Sequence, residues 1–293
     1  MKTCQSWHNR VAWYFGVSVH DTFGKRSRIR LIYSYSIFVA IAIVDVTVAV
    51  YVVYVRSIGS EFLEFFNQSL AAFLDIFTFS GLLVHLVEMT KGGAKLSRAF
   101  GRTYELNRAL FWSTWASIFL TILALVSRIC SIKNFAVLSV DNVNHVWNAI
   151  YSMMTLVYFM IASQFCHLVD ASSYKIDKLK NIVKNAKGKR KIPSIFKCLY
   201  LLDRKAEEMQ SVNEIFDKQL FYFSFNAFTA CILNGYYGIV YTIIGNQGFL
   251  YGMGYFTGIM VKLLGVLLIC TCCTTAQKYV SKILNVRNQI WNI

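Results

Sequence analysis

Apolar residues in this chain fall in long unbroken runs, without the alternation of a half-buried strand or the one-sided stripe of a surface helix. Six runs stand out: Leu31–Val55, Phe66–Val87, Leu110–Val126, Val146–Val169, Leu220–Ile244 and Tyr251–Ala276. A helix rises about 1.5 Å per residue, so roughly 20 apolar residues cross the hydrocarbon core of a bilayer. All but the third run have that length, and the third reaches across with the help of Ser127 to Cys130. Lipid offers no hydrogen-bond partner to a bare backbone, which predicts helices. Stretches such as Val261–Cys270 lack the dyad alternation of a membrane β-barrel. The pattern therefore predicts an all-α membrane protein with six transmembrane helices.

The segments between the runs divide the chain further. Residues 1–30 are polar and basic, with one apolar patch, Val11–Val19, too short to span; no secretory signal peptide is expected there. Residues 31–169 hold runs one to four, 170–219 a basic loop and helical extension, 220–276 runs five and six, and 277–293 an amphipathic tail. Within the loop, Lys175 to Lys191 is strongly basic. Such a stretch beside a membrane enforces orientation or attracts anionic lipid. Beyond it Leu199, Leu202, Ala206, Met209, Val212, Phe216 and Leu220 recur at helical steps, as do Val280, Ile283, Leu284 and Ile290 in the tail. These stripes predict that the helices extend into a cytoplasmic bundle.

Composition agrees with a membrane solvent. Of 293 residues, 56% are hydrophobic and 16% aromatic, and Pro193 is the single proline. The formal net charge of +15 raises nucleic acid as a partner, but the placement of the charges argues against it. Lysine and arginine number 26 in residues 1–30, 88–109, 170–219 and 277–293 together, and 3 in the intervening segments 56–65, 127–145 and 245–250. The positive-inside rule puts the rich segments in the cytoplasm, so both chain ends are expected there. That sense is opposite to a seven-helix G-protein-coupled receptor.

Ionisable residues inside apolar runs are costly and mark candidate function. Asp45, Asp75 and Lys262 lie about ten residues from the outer ends of their runs, near the membrane midplane. An Asp75–Lys262 or Asp45–Lys262 pair would line a polar cavity or ion path, or serve as a structural ion pair between helices. The outer halves of the runs collect aromatics and amides, and Gln68, Tyr151, Asn234, Tyr237 and Tyr255 are the candidate ligand-binding residues. Trp147, Tyr241 and Tyr251, at run ends, suit an aromatic belt. Asn67-Gln68-Ser69 is a glycosylation sequon on the outer side, abutting the membrane. Cys270, Cys272 and Cys273 lack the spacing and nearby histidines of a zinc site, so no metal is expected. Phosphate-binding glycine loops, nucleophile elbows and His-Glu-x-x-His are absent, so neither an enzyme nor a cofactor is expected. No run carries arginine at every third position, which argues against a voltage sensor.

The arrangement resembles the insect gustatory receptors of the insect chemoreceptor superfamily. The likeness rests on the cytoplasmic amino end, the long basic loop after the fourth run, the segment Val212-Asn213-Glu214-Ile215-Phe216-Asp217-Lys218-Gln219-Leu220 leading into the fifth, and the continuation of the sixth through Gln277-Lys278-Tyr279-Val280-Ser281-Lys282-Ile283-Leu284. The family's signature, Thr-Tyr, five apolar residues and Gln-Phe on a seventh span, does not occur before Ile293, and the chain is expected to be cut short before it. The resemblance implies a tetrameric, ligand-gated, non-selective cation channel in the cell membrane of sensory neurons, built with other receptor subunits and binding a small-molecule tastant in the outer halves of its helices. Competing readings are an olfactory receptor of the same superfamily, a small transporter using the midplane charges, and an accessory membrane protein without a ligand.

Overall fold

The computed structural model describes residues 28–57, 62–100, 108–130, 140–185, 191–240 and 249–291. Among the described residues the regular elements are helices, with no strand. They are α1 (Arg28–Ser57), α2 (Phe62–Phe100), α3 (Arg108–Cys130), α4 (Val140–Asn185), α5 (Lys191–Ile239) and α6 (Phe249–Trp291). Pro193 sits in the first turn of α5, where a missing backbone N–H leaves no helical bond unmade. Inside the apolar stretches hydroxyls donate back to the carbonyl four residues earlier, as in Thr47 to Ile43, Thr90 to Leu86 and Thr257 to Met253. This habit lets serine and threonine sit in an apolar helix without a free polar group.

Four helices are long and apolar enough to cross a membrane, over Arg28–Val55, Ser69–Gly92, His145–Asp170 and Gly252–Lys278. In α3 the apolar part, Phe111–Val126, is shorter. The second half of α5 is diluted by Asn226, Asn234, Tyr236 and Tyr237 and does not reach the same hydropathy. Helices α4, α5 and α6 have 46, 49 and 43 residues, each about twice what a bilayer crossing needs.

Helix α4 is the hub and packs against all five others. In its apolar stretch 67% of residues are buried, against 22% in α1. Its Met154, Val157, Tyr158, Met160, Ile161 and Phe165 meet Phe38 of α1, Leu82 and Leu86 of α2, and Phe216 and Phe223 of α5 in one continuous core. Close approach has a specific requirement at Gly265 of α6, where a Cβ would stand 2.6 Å from the Phe223 ring. The outer surface is apolar too: Ile43 and Val50 on α1, Phe119 on α3, Phe228 on α5 and Leu267 on α6 are exposed. A surface of this kind is unfavourable in water and compatible with lipid contact.

Candidate functional site

A cavity of about 50 Å³ lies between α2, α4, α5 and α6. It is large enough for several water molecules or a small organic group, since one water needs about 10–15 Å³ on this measure. Helix α2 contributes Ala71, Leu74 and Asp75; α4 contributes Trp147, Asn148 and Tyr151; α5 contributes Ala230, Leu233, Asn234 and Tyr237; α6 contributes Tyr255. On α2, α4 and α5 these positions recur at three- and four-residue steps, so each of the three presents one face to the cavity. The cavity lies at the end of the bundle where α2, α4 and α6 begin and α5 finishes. Small side chains at Ala71 and Ala230 keep it open. The Tyr237 and Tyr255 rings face one another at 5.9 Å between centres.

One wall of the cavity is polar and fixed. The Trp147 indole donates to an Asp75 carboxylate oxygen, and both residues are buried. Asp45 of α1, also buried, lies against Trp147 and near enough to interact electrostatically with Asp75. Neither Asp45 oxygen meets hydrogen-bond geometry. On the other side, Lys262 of α6 is buried, donates to the Tyr151 hydroxyl, and holds its ammonium 4.2 Å from the Tyr151 ring centre. Aromatic faces attract cations at this range. Asp75 and Lys262 interact through space, with Trp147 and Tyr151 as their hydrogen-bond partners in place of a direct ion pair.

Below the cavity a second layer ties α2 to α4 and α5. Asn226 donates to the Thr78 hydroxyl, which in turn donates to the Leu74 carbonyl at 2.7 Å. The Tyr158 hydroxyl donates to the Thr78 carbonyl at 2.6 Å. Gly81 makes room for it, because a Cβ at that position would stand 2.0 Å from the Tyr158 oxygen. Further along, His85 meets Gln219 at 3.2 Å, and Glu88 pairs with Lys218 at 3.4 Å.

Of the residues singled out in the sequence, Tyr151, Asn234, Tyr237 and Tyr255 line one cavity together with Asp75. Lys262 reaches it through Tyr151, and Asp45 stands behind Trp147. Gln68 lies on α2, but its side chain falls outside the described residues, as do the side chain of Tyr251 and the whole of Tyr241. Trp147 is only 5% exposed and bonded to Asp75, which is not the setting of a belt residue at a lipid interface. Sequence reasoning passed over Asn148, Asn226, Thr78 and the small Ala71 and Ala230. The usable signal was the helical face Ala230, Leu233, Asn234, Tyr237, at steps of three, one and three.

Among the described residues no group of three His, Cys, Asp or Glu could hold a metal ion. In comparisons with known proteins, no family model matches the chain and no curated protein matches it.

Proposed function

We propose that this chain is a chemoreceptor subunit of the insect gustatory type, contributing to a ligand-gated, non-selective cation channel that senses small organic tastants. The observation that carries the reading is the cavity: an aromatic and amide lining on four helices, with a fixed carboxylate at one wall. Apolar walls with a few placed polar groups are what small-molecule sites require. On this reading the chain crosses the membrane six times with both ends in the cytoplasm, and α3 and the second half of α5 complete the set of spans. The charge distribution supports that sense, with 26 lysines and arginines in one alternate set of segments and 3 in the other. The cavity then opens toward the outer face, where a tastant arrives. The lower halves of α4, α5 and α6 form a cytoplasmic bundle, which is where subunits of a tetramer would meet.

The test is electrophysiological. The chain is expressed alone and with a second chemoreceptor subunit, and currents are recorded during application of sugars, bitter compounds and small amines. At least one compound should evoke a non-selective cation current whose half-maximal concentration rises about tenfold or more in Tyr237→Ala, the scale of losing one well-packed aromatic contact. Ligand accumulation in the cell without current would instead support a carrier. An unchanged response in Tyr237→Ala would remove the cavity from the account.

A further inference from the structure

We infer that the ligand taken by this cavity is a small organic cation, an alkylammonium held by Asp75 and the surrounding rings. The inference rests on the proposed ligand site and adds the chemical class that fits it.

Charge balance makes the case. Among the described residues, the buried side chains around the cavity include two carboxylates, Asp45 and Asp75, and one ammonium, Lys262, with His145 at the start of α4, while Tyr151 and Cys231 are titratable groups that interact with Lys262 or Asp75. The indole donates one hydrogen bond to Asp75 and brings no charge. On formal charges the two acids outnumber the lysine, and the His145 ring is the other group nearby that can carry positive charge. A charge is costly inside a membrane bundle unless something neutralises it. A proton, the His145 ring or a bound cation can do so.

Position favours a cation. Asp75 lines the cavity, whereas Lys262 lies beyond Tyr151 and is not part of the lining. A ligand in the cavity therefore meets the carboxylate first. The other lining groups suit the same ligand: Trp147, Tyr237 and Tyr255 add aromatic rings to the lining, and Asn148 and Asn234 add amides. Cages of this composition hold quaternary ammonium groups through ring electrostatics. A neutral ligand of equal shape would fill the space and leave the carboxylate as it was.

The experiment compares choline with 3,3-dimethylbutan-1-ol, which has the same shape with carbon in place of the charged nitrogen. The full chain is placed in nanodiscs of phosphatidylglycerol in about 1 M salt, where a Debye length of about 3 Å screens the anionic surface, and intrinsic tryptophan fluorescence or calorimetry follows binding. Choline should bind about tenfold tighter or more, the scale expected for a desolvated cation among aromatic rings. Asp75→Asn should bring the two affinities together while the alcohol still binds. Equal affinity for the two compounds in the unaltered chain would overturn the inference, because the carboxylate would then be neutralised by a proton or from within the protein; the ligand site itself would stand. Binding of neither compound, with fluorescence indifferent to every amine and alcohol tried, would overturn the site and the inference together. The comparison on the unaltered chain decides the matter even where Asp75→Asn fails to fold. Repeating it in phosphatidylcholine separates sources: unchanged choline affinity assigns the cation to the aqueous side, and a tenfold loss assigns it to competing lipid headgroups, the same chemistry in either case.

Discussion

The Lys262 ammonium on α6 lies 4.2 Å from the centre of the Tyr151 ring on α4 and donates to that residue's hydroxyl. This contact joins α6 to the central helix beside the cavity and holds the one buried lysine found among the described residues. Asp75 on α2 depends on it for its positive neighbour. Lys262→Met keeps most of the side-chain length and removes the charge. It should destabilise the protein by about 3 kcal/mol, the usual cost of stranding a buried charge. Thermal unfolding in detergent measures this. Pairing it with Asp75→Asn should recover about 1 kcal/mol or more, since the two residues share one network.

Trp147→Phe tests the indole as a donor instead of as bulk. The ring volume is largely kept, and the hydrogen bond to Asp75 is lost. A hydrogen bond to a charged group is worth about 1.5–3 kcal/mol. The substitution should lower the unfolding midpoint in the native background and have a clearly smaller effect in Asp75→Asn.

Gly81 and Gly235 should respond oppositely to alanine. At Gly81 the new Cβ would meet the Tyr158 oxygen at 2.0 Å and Tyr222 Cβ at 2.9 Å, so the Tyr158–Thr78 bond must give way. A loss of about 1–3 kcal/mol is expected, as for other forced overpacking. At Gly235 nothing lies within 4 Å, so Gly235→Ala should be neutral or stabilise α5 by about 0.5–1 kcal/mol. Denaturant-free thermal scans of the two variants side by side measure the contrast.

Cys130 reports on membrane sense. It is the last residue of α3 and is exposed. With the other native cysteines replaced, a membrane-impermeant maleimide should label it on intact cells. Labelling only after permeabilisation would reverse the proposed orientation.

The helices were legible in the sequence because lipid makes apolar run length the dominant pattern. Asp45, Asp75 and Lys262 were legible for the converse reason: a charge in such a run is conspicuous. Their partners were not. Which face of a helix meets which neighbour depends on rotation about its axis, and long apolar stretches carry little periodic signal to fix it. Lys262 was therefore expected to meet an aspartate, and it meets Tyr151. Trp147 illustrates a second limit, because position near a run end suggests an interfacial ring and depth in the bundle cannot be read from position alone. Thr78 and Asn226 carry no charge and no aromatic ring, so nothing in composition separates them from the many polar residues that transmembrane helices tolerate.

The central claim is that the cavity lined by Asp75, Trp147, Asn234 and Tyr237 is open to the outside of the cell. Accessibility of a cysteine at position 234 tests it most directly. In a background without native cysteines, Asn234→Cys should react with a membrane-impermeant thiosulfonate carrying a quaternary ammonium, applied to the outside of intact cells. No reaction from that side, or reaction only from the cytoplasmic face, would contradict the account.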